Sequence, residues 1–354
     1  MDVPIATPNN TPPPLPAGVS LRLHDAEGGV LLEDSGKWLY PLFGVEEFLR
    51  DRSLSAEDLI LQDKIAGRAA ASLIVRMGFR SCFIETISRP ALDVFERHGV
   101  DCIHGTQVDR IQCRTEDLIT ADMDLETVYR MLRKRAGLTQ GKDLSIRDLE
   151  AGYGGRPVLK GLDLELAAGD QLIVTGDNGT GKSTLLKTLV GTVPMVRGEI
   201  RLGGAPLPRT KAKPSPIGYV NQSMQTSRFP LTAEEIVAFG SIGHRLSAAE
   251  RRYRIEIAMK RTGCFHLAGR DVGTLSGGER QRVSLARCLS QEAAVILLDE
   301  PTSFLDRESK NDFLGLLRDL VRSRMPTVLL VSHDHEWVGK LDWPIRVLKD
   351  GVLC

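Results

Sequence analysis

Apolar and polar positions follow two different patterns along the chain, and each pattern predicts a different domain. Between residues 19 and 137, short strand-like runs alternate with segments whose apolar residues recur at helical spacing. The pattern predicts helices over Asp63–Met77, Pro90–His98 and Asp124–Ala136, a strand over Cys82–Ile87 and a short hairpin over Val30–Leu42. We therefore expect a small domain of strands and helices in this part of the chain.

From Leu144 onward, short and fully apolar runs alternate with longer helical segments. Runs of this kind are typical of strands buried on both faces, so they predict an α/β fold with a largely parallel, doubly wound sheet. The predicted strands are Gln171–Val174, Ile217–Val220, Val295–Leu298 and Val328–Val331. Residues 138–143 are predicted to link the two domains, and residues 1–18, which hold six of the 18 prolines, to form a disordered tail.

The composition excludes several classes of function. The chain of 354 residues carries 46 basic and 46 acidic residues, so no overall field attracts it to nucleic acid or to an anionic membrane. No apolar run approaches the roughly 18 residues of a membrane span, and the first residues lack the pattern of a secretory signal. The six cysteines form no C-x-x-C pair, which argues against a disulfide framework or a cysteine zinc site. These features predict a cytoplasmic protein.

A glycine-rich loop follows the predicted strand at 171–174 and has the form G-x-x-x-x-G-K-S. Its glycines allow backbone N–H groups to approach phosphate oxygens at the start of a helix, which predicts a nucleotide site. We expect Lys182 to bridge the β- and γ-phosphates, Ser183 to bind Mg²⁺ and Thr184 to assist at the α-phosphate. The full set of predicted loop ligands is Gly176, Asp177, Asn178, Gly179, Thr180, Gly181, Lys182, Ser183 and Thr184.

Two acidic residues follow the apolar run at 295–298. A buried central strand delivers carboxylates to its C-terminal edge, beside the phosphate loop, so Asp299 is predicted to hold Mg²⁺ through water. Glu300 is predicted to act as the general base that orients the attacking water. The alternative is that the acidic pair only forms a turn.

The segment Leu275–Arg282 reads L-S-G-G-E-R-Q-R, and with the two preceding motifs it resembles the signature of the ATP-binding cassette (ABC) ATPases. The resemblance extends over about 210 residues, from Leu144 to the C-terminus, and includes a helical subdomain at 223–274. It implies that ATP is the nucleotide and that two subunits sandwich it, each offering its signature to the other's ATP. The signature residues that would act on the second subunit are Leu275, Ser276, Gly277, Gly278 and Glu279.

The same resemblance implies roles for four more residues. Tyr153 would stack on adenine, and Gln222 would contact Mg²⁺ and the attacking water. Asp306 matches the D-loop, and His333 matches the switch histidine that contacts the γ-phosphate. Phe304 stands in the D-loop where the family more often has a small residue. The implied catalytic set is Glu300, His333 and Gln222, and the implied Mg²⁺ set is Ser183, Gln222 and Asp299.

These motifs predict the ATP-hydrolysing subunit of an ABC transporter, which acts as an ATP-dependent homodimer with a separate membrane permease at the inner face of the membrane. A single cassette without long coiled-coil insertions favours this class. The stretches Ile217–Ser223 and Arg228–Val237 resemble the zinc/manganese-importer branch, which implies a metal-ion cargo. The alternative is a soluble ABC-type ATPase that acts on a protein or a small ligand.

The segments Lys64–Ala71 and Ile87–Gly99 resemble a small prokaryotic domain of unknown function, with an α/β/α fold like that of the cytidine deaminases. Deaminases take their zinc ligands from H/C-x-E and P-C-x-x-C motifs. If Pro90 matches the motif proline, Ala91 and Val94 stand at the cysteine positions, so we expect residues 19–137 to be non-catalytic and to bind a regulatory ligand or partner. Lys64 and Arg68 are predicted to share one helix face for anionic groups. An unrelated zinc set remains open as the alternative, namely Cys102, His104 and Cys113.

Overall fold

The computed structural model describes residues 12–52, 54–207, 215–221 and 230–354. They belong to two compact units, Met1–Gly137 and Leu138–Cys354. Among the helices formed by these described residues, none is both long enough and apolar enough to cross a membrane.

The described residues of the first unit form a five-stranded sheet and four α-helices. The sheet has the order β2-β1-β3-β4-β5, in which β2, β1 and β3 are antiparallel and β3, β4 and β5 are parallel. Helices α1, α3 and α4 all contact α2. The elements are β1 Leu21–His24, β2 Val30–Asp34, α1 Tyr40–Arg52, β3 Ile60–Ala66, α2 Arg68–Met77, β4 Ser81–Ser88, α3 Arg89–His98, β5 Asp101–Val108 and α4 Leu125–Arg135.

Local chemistry explains where these helices begin and end. The Ser88 hydroxyl accepts a hydrogen bond from the Ala91 N–H and caps α3, and Asp124 caps α4 in the same way. Both α2 and α3 end at a glycine in the left-handed region, Gly78 and Gly99, where a side chain would be strained. The predicted helices at 90–98 and 124–136 and the predicted strand at 82–87 are confirmed.

Two predictions for this unit are wrong. Residues 63–66 belong to the strand β3 and not to a helix, because Gly67 is extended and α2 begins only at Arg68. Lys64 is therefore an exposed strand residue and does not share a helix face with Arg68. The hairpin also differs: Val30–Asp34 pairs with Leu21–His24, and residues 40–42 open α1.

The proline-rich segment before β1 is ordered in its second half. The Pro13 carbonyl accepts a hydrogen bond from the Gln62 amide at 2.9 Å, and the Leu15 N–H donates to the Glu85 carboxylate at 2.8 Å. An extended proline-rich chain leaves its backbone groups unpaired, and these two side chains of the sheet bind them. Residues 12–18 thus differ from the predicted disorder, whereas residues 1–11 lie outside the described part of the chain.

The second unit has a six-stranded sheet with the order β11-β12-β13-β8-β14-β15, parallel except for β15, and a four-stranded antiparallel sheet with the order β10-β9-β6-β7. Its elements are β6 Leu144–Tyr153, β7 Arg156–Leu166, β8 Gln171–Thr175, α5 Lys182–Leu189, β9 Met195–Leu202, β10 Ala205–Pro206, β11 Ile217–Val220, α6 Ala233–Ala238, α7 Ala248–Arg261, α8 Gly277–Ser290, β12 Val295–Asp299, α9 Arg307–Arg324, β13 Thr327–Val331, α10 His335–Val338, β14 Ile345–Lys349 and β15 Val352–Leu353. The four strands predicted for the parallel sheet are confirmed.

Burial on both faces accounts for the continuous apolar runs of this sheet. Every residue of β8, β12 and β13 is buried. Helix α5 packs on one side of the sheet, and α8 and α9 pack on the other. A smaller core joins α6 and α7 to α8, and α6 and α7 lie within 230–274, the described part of the predicted helical subdomain. This arrangement places the C-terminal ends of β8, β12 and β13 next to one another at one edge.

Candidate active site

The loop after β8 has a backbone that only glycine tolerates at several positions. Gly176, Gly179 and Gly181 all have positive φ, and a Cβ on Gly176 would lie 2.3 Å from the Leu348 carbonyl oxygen. Gly181 precedes α5 and offers no side chain to cap it, so the first N–H groups of α5 face the loop. This geometry suits an anion such as a nucleotide phosphate.

Lys182 is buried, and its ammonium group lies inside the curve of the loop. Its Nζ donates to the carbonyl oxygens of Gly176 at 2.7 Å and of Asp177 at 2.8 Å. A buried ammonium needs oxygen partners, and phosphate oxygens can replace these carbonyls. The other predicted loop ligands follow: Asp177, Asn178 and Gly179 are exposed, the Thr180 hydroxyl donates to the Asp177 carbonyl, and Thr184 is buried at the first turn of α5.

Ser183 and Asp299 meet between the loop and β12. The Ser183 hydroxyl donates to Asp299 Oδ1 at 2.9 Å, and only 2% of Asp299 is exposed. The second carboxylate oxygen, Oδ2, accepts a hydrogen bond from the Tyr219 hydroxyl at 2.7 Å. A hydroxyl and a carboxylate are the hard oxygen ligands that Mg²⁺ prefers beside phosphates, so these residues fit the predicted metal.

Glu300 follows β12 in an unusual backbone conformation. Its φ is +48°, and its N–H donates to the Val331 carbonyl at the end of β13. Its carboxylate lies 2.7 Å from Nδ1 of His333, while the imidazole remains half exposed. Because a carboxylate only accepts, Nδ1 carries a proton in this contact, and Nε2 lies on the other side of the ring. The structure therefore brings the predicted base and the predicted switch histidine together.

The signature residues begin α8. Ser276 and Glu279 form a capping box, in which the Ser276 hydroxyl accepts from the Glu279 N–H at 3.3 Å and the Glu279 carboxylate accepts from the Ser276 N–H at 2.7 Å. The hydrogen bond from the Ser276 N–H, and to a lesser extent the Ser276 side chain, lowers the pKa of Glu279. Leu275 is buried in the core of the helical subdomain and anchors the turn.

The signature glycines pack against the D-loop. A Cβ on Gly277 would lie 2.8 Å from the Phe304 carbonyl oxygen, and one on Gly278 would lie 3.2 Å from the Ser309 hydroxyl. The Phe304 ring itself is 68% exposed, so the larger side chain does not crowd this contact. Asp306 caps α9 by accepting from the Ser309 N–H, and this hydrogen bond lowers the pKa of Asp306.

Two more residues were predicted from the resemblance, Tyr153 and Gln222. Tyr153 ends β6 at a turn of two glycines and is 52% exposed, which leaves its ring accessible for stacking. Gln222 lies outside the described residues. Sequence reasoning missed Tyr219, although a hydroxyl inside an apolar strand, one residue before the strand ends at Val220, was a detectable signal.

In the first unit, α2 and α3 start side by side at the ends of β3 and β4, where a deaminase-like fold would hold its zinc. Glu116 lies between the two starts and is 7% exposed. Its carboxylate accepts from the Arg68 N–H at 2.9 and 3.0 Å and from the Ser88 hydroxyl at 3.1 Å. A small cavity of about 40 Å³ adjoins α2 and α3 and is lined in part by Arg68 and Arg97.

The predicted metal positions of that fold, Ala91 and Val94, lie on α3. Cys102 and His104 lie on β5, and Cys113 lies in the loop after it. Within 12–52, 54–207, 215–221 and 230–354, no three His, Cys, Asp or Glu side chains are grouped as a metal site.

Each unit contains a segment that matches a family model. Residues 159–303 match the family model described as ABC transporter, and residues 33–134 match a domain of unknown function, DUF1893. The second match agrees with the predicted resemblance to a domain of unknown function. The deaminase-like fold of that domain and the zinc/manganese branch of the cassette stay predictions.

Individual relatives align with about three fifths of the chain. The hemin import ATP-binding protein HmuV of Streptomyces coelicolor is 42% identical over 209 residues, which are 57% of this chain and 73% of that protein. The high-affinity zinc uptake system ATP-binding protein ZnuC of Bacillus subtilis is 32% identical over 212 residues, or 58% of this chain and 90% of that protein. The dimeric structure of MJ0796, a bacterial ABC transporter cassette, matches with a TM-score of 0.53 at 28% identity and covers 59% of this chain and 96% of that one.

The phosphate loop, the carboxylates after β12 and the signature turn thus occur on the fold of these cassettes, and the chain belongs to the ATP-binding subunits of ABC transporters and is an ATPase.

Proposed function

We propose that this chain hydrolyses ATP in a homodimer and powers a transporter whose permease is a separate protein. The observation that supports the chemistry best is the grouping of Lys182, the Ser183–Asp299 pair and the Glu300–His333 pair at the C-terminal ends of three adjacent strands. The first holds phosphate, the second suits Mg²⁺, and the third suits activation of water.

Each of these three groups has a distinct task in the proposed reaction. The loop N–H groups and Lys182 bind the β- and γ-phosphates, and Ser183 and Asp299 hold Mg²⁺, which neutralises phosphate charge when it is bound. The Glu300 carboxylate orients the attacking water and accepts its proton. His333 donates Nδ1–H to Glu300, which fixes the ring, and Nε2, when it also carries a proton, can donate to a γ-phosphate oxygen. Gln222, which the resemblance places beside Mg²⁺ and water, lies outside the described residues and remains part of the proposal.

The second subunit would complete the site. Ser276 and the first N–H groups of α8 form a capped helix start that can bind the γ-phosphate of a partner's ATP. Asp306 and Phe304 are exposed, and the Phe304 carbonyl lies beside Gly277 of the signature, which suits contact between subunits. The dimeric MJ0796 cassette supports this arrangement by analogy.

Replacement of the base tests the catalytic assignment. Glu300→Gln keeps the size of the side chain but cannot accept the proton, so we expect ATP binding to persist while turnover falls roughly 100-fold or more. The variant should accumulate as an ATP-bound dimer, measured by light scattering with MgATP. Wild-type turnover in this variant would contradict the role of Glu300.

We also propose that the cargo is a metal ion or a metal-containing compound. The support is the resemblance of 217–223 and 228–237 to the zinc/manganese branch, together with the hemin and zinc relatives. Deleting the gene and measuring cellular zinc, manganese and iron by mass spectrometry tests this. Co-purification of a multi-span membrane protein in detergent tests the permease, and a soluble partner instead would favour the alternative of a non-transport ATPase.

The first unit is proposed to regulate the cassette. The relatives named above align with about three fifths of this chain, so the cassette does not need the first unit for its fold. We expect residues 138–354 alone to hydrolyse ATP at a rate different from that of the full chain in the presence of permease. Equal rates and equal ATP affinities would contradict a regulatory role.

A further inference from the structure

Asp299 has a second hydroxyl partner besides Ser183. The Tyr219 hydroxyl donates to Asp299 Oδ2 at 2.7 Å, while Ser183 donates to Oδ1 at 2.9 Å. Tyr219 lies on β11, which runs parallel to β12, and its register partner is Leu297, two residues before Asp299. The carboxylate is therefore held from two sides by two neighbouring elements.

The burial of Asp299 makes these two donors important. Only 2% of this residue is exposed, and a buried carboxylate is costly unless each oxygen has a donor. Loss of one donor leaves the carboxylate free to rotate about its χ2 angle, which is a soft torsion. Tyr219 thus fixes both the position and the rotation of the carboxylate.

Tyr219 is itself firmly placed. Its ring packs against the core cluster around α5. β11 is the edge strand of the sheet, and α8 binds its outer carbonyls: Arg287 donates to the Tyr219 carbonyl, and Gln291 donates to that of Ile217 at 2.8 Å. Its hydroxyl is a donor that the Asp299 carboxylate, which only accepts, can use.

We propose that Tyr219 is a positioning residue for the magnesium site, which orients Asp299 so that Oδ1 and the Ser183 hydroxyl face the ion together. The proposal rests on the proposed role of Ser183 and Asp299. Tyr219 does not touch the ion, the nucleotide or the attacking water in this role. Its effect is on the concentration of metal ion that the site requires.

Tyr219→Phe tests the proposal because it removes only the hydroxyl and keeps the ring in the core. A hydrogen bond to a charged group contributes about 1.5–3 kcal/mol, so we expect the Mg²⁺ concentration for half-maximal ATPase activity to rise roughly 10-fold or more. At saturating Mg²⁺, kcat should stay within about threefold of wild type, since the groups that react are intact. Tyr253→Phe, at a 65% exposed tyrosine on α7, is the matched control and should change neither value.

A direct measurement of metal binding separates this role from catalysis. Mn²⁺ is titrated into the full chain saturated with ADP, and the free ion is counted by its electron paramagnetic resonance signal. Tyr219→Phe should weaken Mn²⁺ binding roughly 10-fold or more, as expected for Mg²⁺. The affinity for ADP, measured by calorimetry in EDTA, should stay unchanged. A lower kcat with unchanged Mn²⁺ affinity, or no change in either, would overturn the proposal. Failure of the wild-type chain to bind nucleotide would instead contradict the proposed function.

Discussion

Glu116 in the first unit makes a prediction whose size follows from its contacts. Its carboxylate is buried between the starts of α2 and α3 and accepts from the Arg68 N–H and the Ser88 hydroxyl. Glu116→Ala removes the acceptor for both donors and leaves them buried without a partner. Each hydrogen bond to a charged group contributes about 1.5–3 kcal/mol, and relief of the buried charge offsets part of the loss. We therefore expect a net destabilisation on the order of 3 kcal/mol.

Hydrogen exchange of the full chain, read by mass spectrometry, measures this loss locally. Peptides from α2 and the start of α3 should exchange roughly 100-fold faster in Glu116→Ala, while peptides from the second unit keep their rates. Asp117→Ala is the matched control, because this neighbouring carboxylate is 57% exposed and pairs only at the surface, with Arg110. It should change the exchange free energy by less than about 0.5 kcal/mol.

A second substitution, at Gly67 before α2, tests the close packing of the Glu116 carboxylate against the start of this helix. A Cβ on Gly67 would lie 2.2 Å from Glu116 Oε2, so Gly67→Ala should destabilise the wild-type chain and cost much less in the Glu116→Ala background. The reasoning is refuted if Glu116→Ala and Asp117→Ala exchange alike, or if the effects of the Gly67 and Glu116 substitutions simply add.

Two further predictions concern a buried acid and the signature turn. Burial raises the pKa of Asp63 to about 7, so the free energy of unfolding of the first unit falls as pH rises from about 4 to about 7. Asp63→Asn should remove this pH dependence and stabilise the unit at pH 8 by up to about 4 kcal/mol, measured by scanning calorimetry. An unchanged pH dependence would contradict it. Gly277→Ala should push the Phe304 carbonyl away and lower ATPase activity roughly tenfold without weakening ATP binding in calorimetry. Gly315→Ala on α9 is the control, because a Cβ there meets nothing within 4 Å, and it should leave ATPase activity and ATP binding unchanged. Equal ATPase activities of the two variants would contradict a role for the contact between Gly277 and Phe304.

The parts of the active site that sequence could predict share one property: they follow directly on a strand. Lys182 and Ser183 come a few residues after β8, Asp299 ends β12, and His333 comes two residues after β13. Parallel strands bring such residues to one edge whatever the details of packing, so motif and topology suffice. Tyr219 lies inside its strand, and its contact with Asp299 depends on the register between β11 and β12. Sequence alone does not give that register.

In the first unit, the sequence likewise failed to give the boundary between β3 and α2. The run D-K-I-A-G-R-A-A-A is rich in alanine and was predicted as one helix, but Gly67 divides it into the end of β3 and the start of α2. Alanine and isoleucine fit both periods, so only the tertiary pairing of β3 with β1 and β4 decides. Glu116 was not singled out for a related reason, since it lies 48 residues from Arg68 and no local pattern marks their contact.

Both units repeat one local arrangement, in which a parallel strand leads within a few residues into a helix whose first N–H groups lie at the sheet edge. In the second unit the loop before α5 is built of glycines, no side chain caps the helix, and Lys182 adds a positive charge. In the first unit the start of α2 is bound by the carboxylate of Glu116, which already supplies the negative group that such a position attracts. The arrangement therefore does not by itself predict phosphate binding. What differs between these two helix starts is whether the chain satisfies the N–H groups itself: Glu116 does so at α2, and no side chain caps α5.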